Sequence, residues 1–169
     1  MSSRHVSGIL EKKYTPDKVR SAYVKAEGKE MGVKLKKVDL EKITAHARKE
    51  LPNEACGLIA GRDDENGDRI IEEVYLLTNI DHSNEHFSLD PKEQLQAVKD
   101  MRSKGYVPLG NWHSHPESPS RPSEEDKRLA YDSKASYLIL SLMDNDNPVL
   151  NSFHVENGES TKEELEITD

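Results

Sequence analysis

The 169-residue chain has one cysteine, Cys56, so it can form no internal disulfide, which fits a reducing compartment. No apolar run approaches the ~18 residues a membrane-spanning helix needs, and the N-terminus lacks the apolar core of a signal peptide. Glycine-rich phosphate loops, basic stretches interleaved with aromatics, internal repeats and low-complexity tracts are also missing. A cytoplasmic protein with no membrane partner is the expectation. The net charge of −8 is unevenly spread: residues 1–37 carry ten Lys/Arg against four Asp/Glu, and the remainder 14 against 28. An acidic body lacks the basic face that nucleic-acid phosphates require, so nucleic acid is excluded as a partner.

What is present suits one hydrated globular core: hydrophobic residues at 34% and charged residues at 33%. The division expected is a basic N-terminal extension over 1–31 and one domain over 32–169. Thr15-Pro16-Asp17 reads as a helix start, with Val19, Tyr23 and Val24 on one stripe before Gly28. Val33 to Val38 alternates as a strand. Asp39 reads as the cap of a helix carrying Leu40, Ile43 and Ala47. Asn53 to Gly61 is a near-continuous apolar strand with Glu54 at its mouth, and Ile70 to Leu77 is another. Asp90-Pro91 starts a helix with Leu95, Val98 and Met101 or Arg102 on its face, ended by Gly105. The pattern predicts further strands over Val107–Trp112, Tyr137–Met143 and Val149–Val155, and a polar one near Glu163–Ile167. Strands interrupted by two or three helices imply an α/β fold with a mixed sheet packed between helices.

The stretch from His113 to Asp126, HSHPESPSRPSEED, carries the chemistry. If the strand runs through His115, its period of two puts both imidazoles on one face and turns Ser114 away. Asp126 follows after a turn made by Pro116, Pro119 and Pro122. Two His and one carboxylate suit zinc, and three protein ligands rather than four leave a position open, as in catalytic sites. Ser123-x-x-Asp126 is equally a helix start, with a Ser cap and a first-turn acid. The two readings do not exclude each other. Glu54, leading directly into a buried strand, is either a solvated entry residue or a carboxylate desolvated to shuttle protons. Cys56 reads as a small buried hydrophobe, His46 as packed or surface, and His154 as exposed. His82 and His86 fall on a polar, substrate-facing loop. Asn111 shares a strand face with His113 and is a candidate support for it.

Glu54, His113-Ser114-His115-Pro116, six residues, then Ser123-x-x-Asp126 resembles the JAMM (MPN-plus) metalloproteases, with the spacing intact. The similarity runs from about Gly32 to the C-terminus. His86-Phe87-Ser88-Leu89-Asp90-Pro91 and Glu93-Gln94-Leu95 look like its prokaryotic branch, which processes small ubiquitin-like sulfur carriers. The resemblance implies the MPN fold (JAMM, cytidine-deaminase-like): a curved mixed sheet flanked by helices, here with a short N-terminal extension. It implies one Zn2+ per chain on His113, His115 and Asp126, Glu54 as proton shuttle, and Ser123 steadying the tetrahedral intermediate. The activity implied is hydrolysis of the amide or isopeptide bond after the Gly-Gly tail of a ubiquitin-like or sulfur-carrier protein. Two other classes share these residues: a non-catalytic MPN scaffold or binding module, and a non-haem iron oxygenase using the same two-His-one-carboxylate set. Homo-oligomerisation and the identity of the released group are left open by the sequence.

Overall fold

A computed structural model of the protein describes residues 32–169. Along them run β1 (Gly32–Lys36), α1 (Lys37–Glu50), β2 (Cys56–Asp63), β3 (Arg69–Leu77), α2 (Pro91–Ser103), β4 (Val107–His115), α3 (Glu124–Leu129), β5 (Ser136–Ser141), β6 (Val149–Glu156) and β7 (Glu159–Thr168). The helix expected over Pro16 to Glu27 lies outside the described residues. None of the described helices is long and apolar enough to cross a membrane.

The sheet is mixed, in the order β1-β3-β2-β4-β5-β6-β7. Its curvature carries it to closure, because β7 runs parallel to β1 with Gly32 opposite Glu164 and Lys36 opposite Thr168. β4 and β5 are parallel, and α3 lies on the crossover between them. Two hydrophobic cores follow from the strand period of two. Val33, Leu35, Ile59, Ile71, Trp112, Leu138 and Leu140 pack with Ile43 and Ala47 of α1. Leu58 and Ala60, of opposite parity to Ile59 on β2, and Leu77 of β3 pack under Ala97 and Met101 of α2.

Helix ends follow local chemistry, with two departures from the expected pattern. The Asp90 carboxylate accepts from the Lys92 N–H, Pro91 opens α2, and Gly105 at φ +76° turns the chain away, as expected. Leu95 is 56% exposed, however, because α2 approaches the sheet through its smallest apolar residue, Ala97. α1 begins two residues before Asp39, which lies in its first turn instead of capping it and pairs with Lys42 at 3.7 Å. An acid there still favours the helix through the dipole.

Candidate active site

β4 starts at Val107 and continues past Trp112 through His115, and its alternation sorts the side chains that follow. Trp112 turns into the larger core, fully buried, and its indole N–H donates to the Tyr75 carbonyl at 3.0 Å. It passes over Gly57, where a Cβ would lie 1.7 Å from that carbonyl oxygen, so this crossing demands glycine. Ser114, of the same parity, braces the neighbouring segment. Its Oγ accepts from the Ala55 N–H at 2.8 Å, and its own N–H donates to the Ala55 carbonyl at 2.9 Å. His113 and His115 face the other way.

The Ser-Pro loop then returns the chain to that face, pinned at several points. Ser120 Oγ donates to the Ile139 carbonyl and Ser141 Oγ to the Ser118 carbonyl, both at 2.6 Å. α3 follows with both halves of a capping box: Ser123 Oγ accepts from the Asp126 N–H at 3.0 Å, and Asp126 Oδ2 from the Ser123 N–H at 2.9 Å. The helix-start reading of Ser123-x-x-Asp126 therefore holds, and the same oxygen serves the other reading. Asp126 Oδ2 lies 3.2 Å from His113 Nε2 and 3.1 Å from His115 Nε2, and the two Nε2 atoms are 3.1 Å apart.

This triangle fits a metal by its chemistry as well as its size. His115 Nδ1–H donates to the Pro119 carbonyl at 2.9 Å, which leaves Nε2 of the neutral ring with a lone pair. That lone pair faces a carboxylate oxygen and a second imidazole nitrogen, a cluster of acceptors short of protons. The edges approach the roughly 3.3 Å separating two ligands held 2.0–2.1 Å from one tetrahedral ion. Burial lowers the His113 pKa, outweighing its contact with Asp126. At His115 burial acts in the same direction, but Asp126 and the Pro119 carbonyl outweigh it and raise the value. Burial alone would raise Asp126; the two imidazoles override it and hold its carboxyl well below the usual range.

Glu54 stands just outside the triangle, 2% exposed, with Oε1 3.9 Å from His113 Nε2. Glu54, His113 and His115 offer ligand atoms within 4.8 Å of one another. Burial pushes the Glu54 carboxyl up to about 8; His115 opposes the shift, and Asp126, Glu125 and Glu85 add to it. Its backbone is held by a residue the sequence reading did not single out. Asn79, 5% exposed, donates from Nδ2 to the carbonyls of Glu54 and His86, both at 3.0 Å, and accepts at Oδ1 from the N–H groups of Asp81 and Ser88. A lone Asn in a polar loop carries no periodic signal, so only the fold reveals it. The loop it organises sets Phe87 against His113, ring centroids 4.7 Å apart.

Other candidates are placed differently. Asn111 makes no hydrogen bond to His113; its Oδ1 is buried without a partner, and the residue lines a cavity beside the triangle. Sharing a strand face put the two side chains on one side without bringing them into reach. Cys56, opposite His113 in the ladder, is fully buried, and burial pushes its thiol up to about 12, an inert hydrophobe. His46 packs edge-on against Trp112. His154 is not exposed: its Nε2 lies 2.5 Å from buried Glu163, which β7 brings alongside by pairing antiparallel with β6. The sequence of Ser123 to Tyr131 reads as a helix carrying Leu129 and Ala130 inward, yet α3 has no buried residue and Leu129 is 46% exposed. The helix lines the cavity beside the triangle through Glu125, Asp126 and Leu129. His86 lines the cavity, its Nδ1 3.0 Å from Asp81, and His82 adopts φ +47° in the same loop.

Residues 36–155 match the family described as prokaryotic homologs of the JAB domain. The chain is 34% identical over 127 residues to a CysO-cysteine peptidase of Mycobacterium tuberculosis, covering 75% of this chain and 85% of that protein. It is 38% identical over 92 residues to a probable TtuB-protein conjugate cleaving protease of Thermus thermophilus, covering 54% and 58% respectively. A Desulfitobacterium hafniense protein of known solution structure superimposes with a TM-score of 0.74 at 54% identity, covering 81% of this chain and 93% of that one. A JAB1/MPN domain protein from Archaeoglobus fulgidus shares the fold, with a TM-score of 0.53 at 20% identity over 84% of this chain and 100% of the other. The resemblance carried by Glu54 and residues 113–126 is thus met by a match spanning most of the domain, and the chain belongs to the prokaryotic JAB family, with the MPN fold.

Proposed function

We propose that the protein is a zinc-dependent peptidase that hydrolyses the amide bond after the Gly-Gly tail of a ubiquitin-like or sulfur-carrier protein conjugate. The observation that carries this reading is the triangle of His113 Nε2, His115 Nε2 and Asp126 Oδ2, with the buried Glu54 carboxyl 3.9 Å from its edge. The names of the relatives support the substrate class: one is a CysO-cysteine peptidase, another a protease cleaving TtuB–protein conjugates. The reading takes 32–169 as the catalytic unit and 1–31 as an extension to it.

His113, His115 and Asp126 would hold one zinc ion, which when bound supplies a Lewis acid and makes water acidic enough to attack at neutral pH. Glu54 then moves the proton. Beside a dication its carboxylate form is favoured, ready to accept a proton from water, while burial keeps the acid form accessible for return to the leaving amine. Ser123 Oγ spends a lone pair on the Asp126 N–H, which leaves its O–H free to donate to the oxyanion of the attacked carbonyl. Asn79 and Ser114 hold the backbone on either side of Glu54's peptide, and so fix the shuttle's position.

Elemental analysis of the purified protein beside Asp126→Ala tests the reading, together with hydrolysis of carrier conjugates. About one zinc per chain, lost in the variant along with cleavage, is expected. Iron in its place would favour the oxygenase, and no metal after zinc is supplied would leave a non-catalytic scaffold.

A further inference from the structure

A groove of about 600 Å3 runs along one flank of α1 and shares no residue with the triangle or the cavity beside it. Leu40 and Ala45 of α1 wall it, over a floor of Leu140 from β5, Leu150 from β6, and Leu165 and Ile167 from β7. α1 meets the larger core through Ile43 and Ala47, so this flank lies beside that contact and not under it. Leu40, Leu150 and Leu165 are only partly buried, and Ile167 is 41% exposed. Apolar side chains from one helix and three strands thus converge on a groove that stays open among the described residues.

The chain itself supplies a segment of matching chemistry. Residues 1–31 precede the family match, which begins at residue 36. They hold seven Lys/Arg against four Asp/Glu, which leaves 17 against 28 in residues 32–169. Thr15-Pro16-Asp17 reads as a helix start, and a helix over 16–27 puts Val19, Ala22, Tyr23 and Ala26 at i, i+3, i+4 and i+7, flanked by Lys18 and Lys25. A helix of about twelve residues is marginal alone in water, so that stripe needs a surface. The point of attachment brings one within reach. Gly32 opens β1, and the floor residues Leu165 and Ile167 lie opposite Val33 and Leu35, roughly 3 to 10 Å further along the strand. The step from Glu27 to Gly32 spans up to about 17 Å. A tether this short holds the segment at an effective concentration on the order of millimolar, which favours its own groove over a second copy's. The charges agree in sign: Glu41 lines the groove, and Asp144 and Asp146 lie in the turn leading to its Pro148. Arg48, at the other end of the wall, is held by two hydrogen bonds to Asn145. We propose that residues 16–27 form a helix that docks through Val19 and Tyr23 into this groove of its own chain, bracing α1 against β7. The assignment is independent of the hydrolase reading.

Hydrogen exchange and a cross-link on the full chain test it. Ala45 is exposed on the groove wall, so Ala45→Arg sets a bulky cation against the basic segment without touching the core. Val19→Asp with Tyr23→Asp attacks the same contact from the other side. In the wild type, the amides of residues 20–27 should exchange at least roughly tenfold more slowly than those of an unstructured chain. Each variant should return them to the unstructured rate while the amides of β4 keep theirs. Tyr23→Cys with Ala45→Cys should close a disulfide within one chain on mild oxidation. Tyr23→Cys with Arg102→Cys should not, since Arg102 is exposed on α2, which packs on the opposite face of the sheet. Unprotected amides in the wild type, or protection that survives either variant, overturns the docking, as does equal cross-linking of the two cysteine pairs. A disulfide joining two chains would give the groove to a second copy's extension and overturn its assignment to the same chain.

Discussion

Ser114→Ala isolates one strut of the site. Its Oγ is the partner found for the buried Ala55 N–H, at 2.8 Å, and Ser114 itself is fully buried. Removing one oxygen opens almost no cavity, so the cost is that of a buried donor left without an acceptor, about 1–3 kcal/mol. For a domain of this size that lowers Tm by roughly 2–4 °C per kcal/mol. The same bond holds the peptide immediately after Glu54, so the variant should also lose cleavage while keeping its zinc. Ser114→Thr retains the hydroxyl and should recover most of both losses. Urea unfolding with an unchanged m-value, zinc content and cleavage rate form the assay. A Ser114→Ala stability within 0.5 kcal/mol of wild type (roughly the scatter of neutral surface changes) would refute the strut. A Thr variant no better than Ala would show that packing, not the hydroxyl, decides.

Three further outcomes are expected. Glu54→Gln should keep one zinc and a Tm equal to or above wild type, since an amide needs no desolvated charge, while cleavage falls by roughly 10²–10⁴-fold; loss of zinc would make Glu54 a ligand instead. At Glu163, burial raises the carboxyl, but His154 and the Ser152 hydroxyl outweigh it and lower the value. The pair's stabilisation is therefore present above the unfolded pKa of about 4.3 and lost as pH falls through the lower folded value. Glu163→Gln should cost about 1–3 kcal/mol at pH 7, the gap closing below about pH 4; a pH-independent gap in denaturation curves would contradict the charge assignment. The Cys56 thiol should resist thiol reagents in the folded protein and react in urea, and rapid labelling of native protein would show that β2 opens.

Much of this was legible in the sequence because it rests on local periodicity. The strand from Val107 to Trp112 was legible, and once β4 runs on through His115 the period of two gives the opposed directions of Ser114 against His113 and His115. Asp90-Pro91 and Gly105 bounded α2 by backbone chemistry alone. The misreadings came where tertiary context decides. Leu95 and Leu129 are apolar residues on helical faces that no other element among the described residues covers, and no property of their own windows could say so. His154 is enclosed because β7, ten residues of mainly polar sequence, pairs beside β6 and sets Glu163 against it. Asn79 collects its partners from Glu54, Asp81, His86 and Ser88, a set that exists only once the loop is closed.

Asp126 shows why a structural and a functional signal can occupy the same residues. Its N–H needs the Ser123 cap because α3 is six residues long and buries none of them, too little to hold itself in place. Its carboxylate returns a bond to the Ser123 N–H, which fixes the rotamer, and that rotamer aims Oδ2 at both Nε2 atoms. Capping thus does the positioning that a metal ligand requires, and the pinned Ser-Pro loop sets where the cap begins. A cation on the triangle would bind this arrangement and not the unfolded chain, so it would tie the otherwise weakly packed α3 to the rigid end of β4. The same helix carries Leu129 and leads to Tyr131, both lining the neighbouring cavity, which joins the order of the triangle to the shape of that cavity.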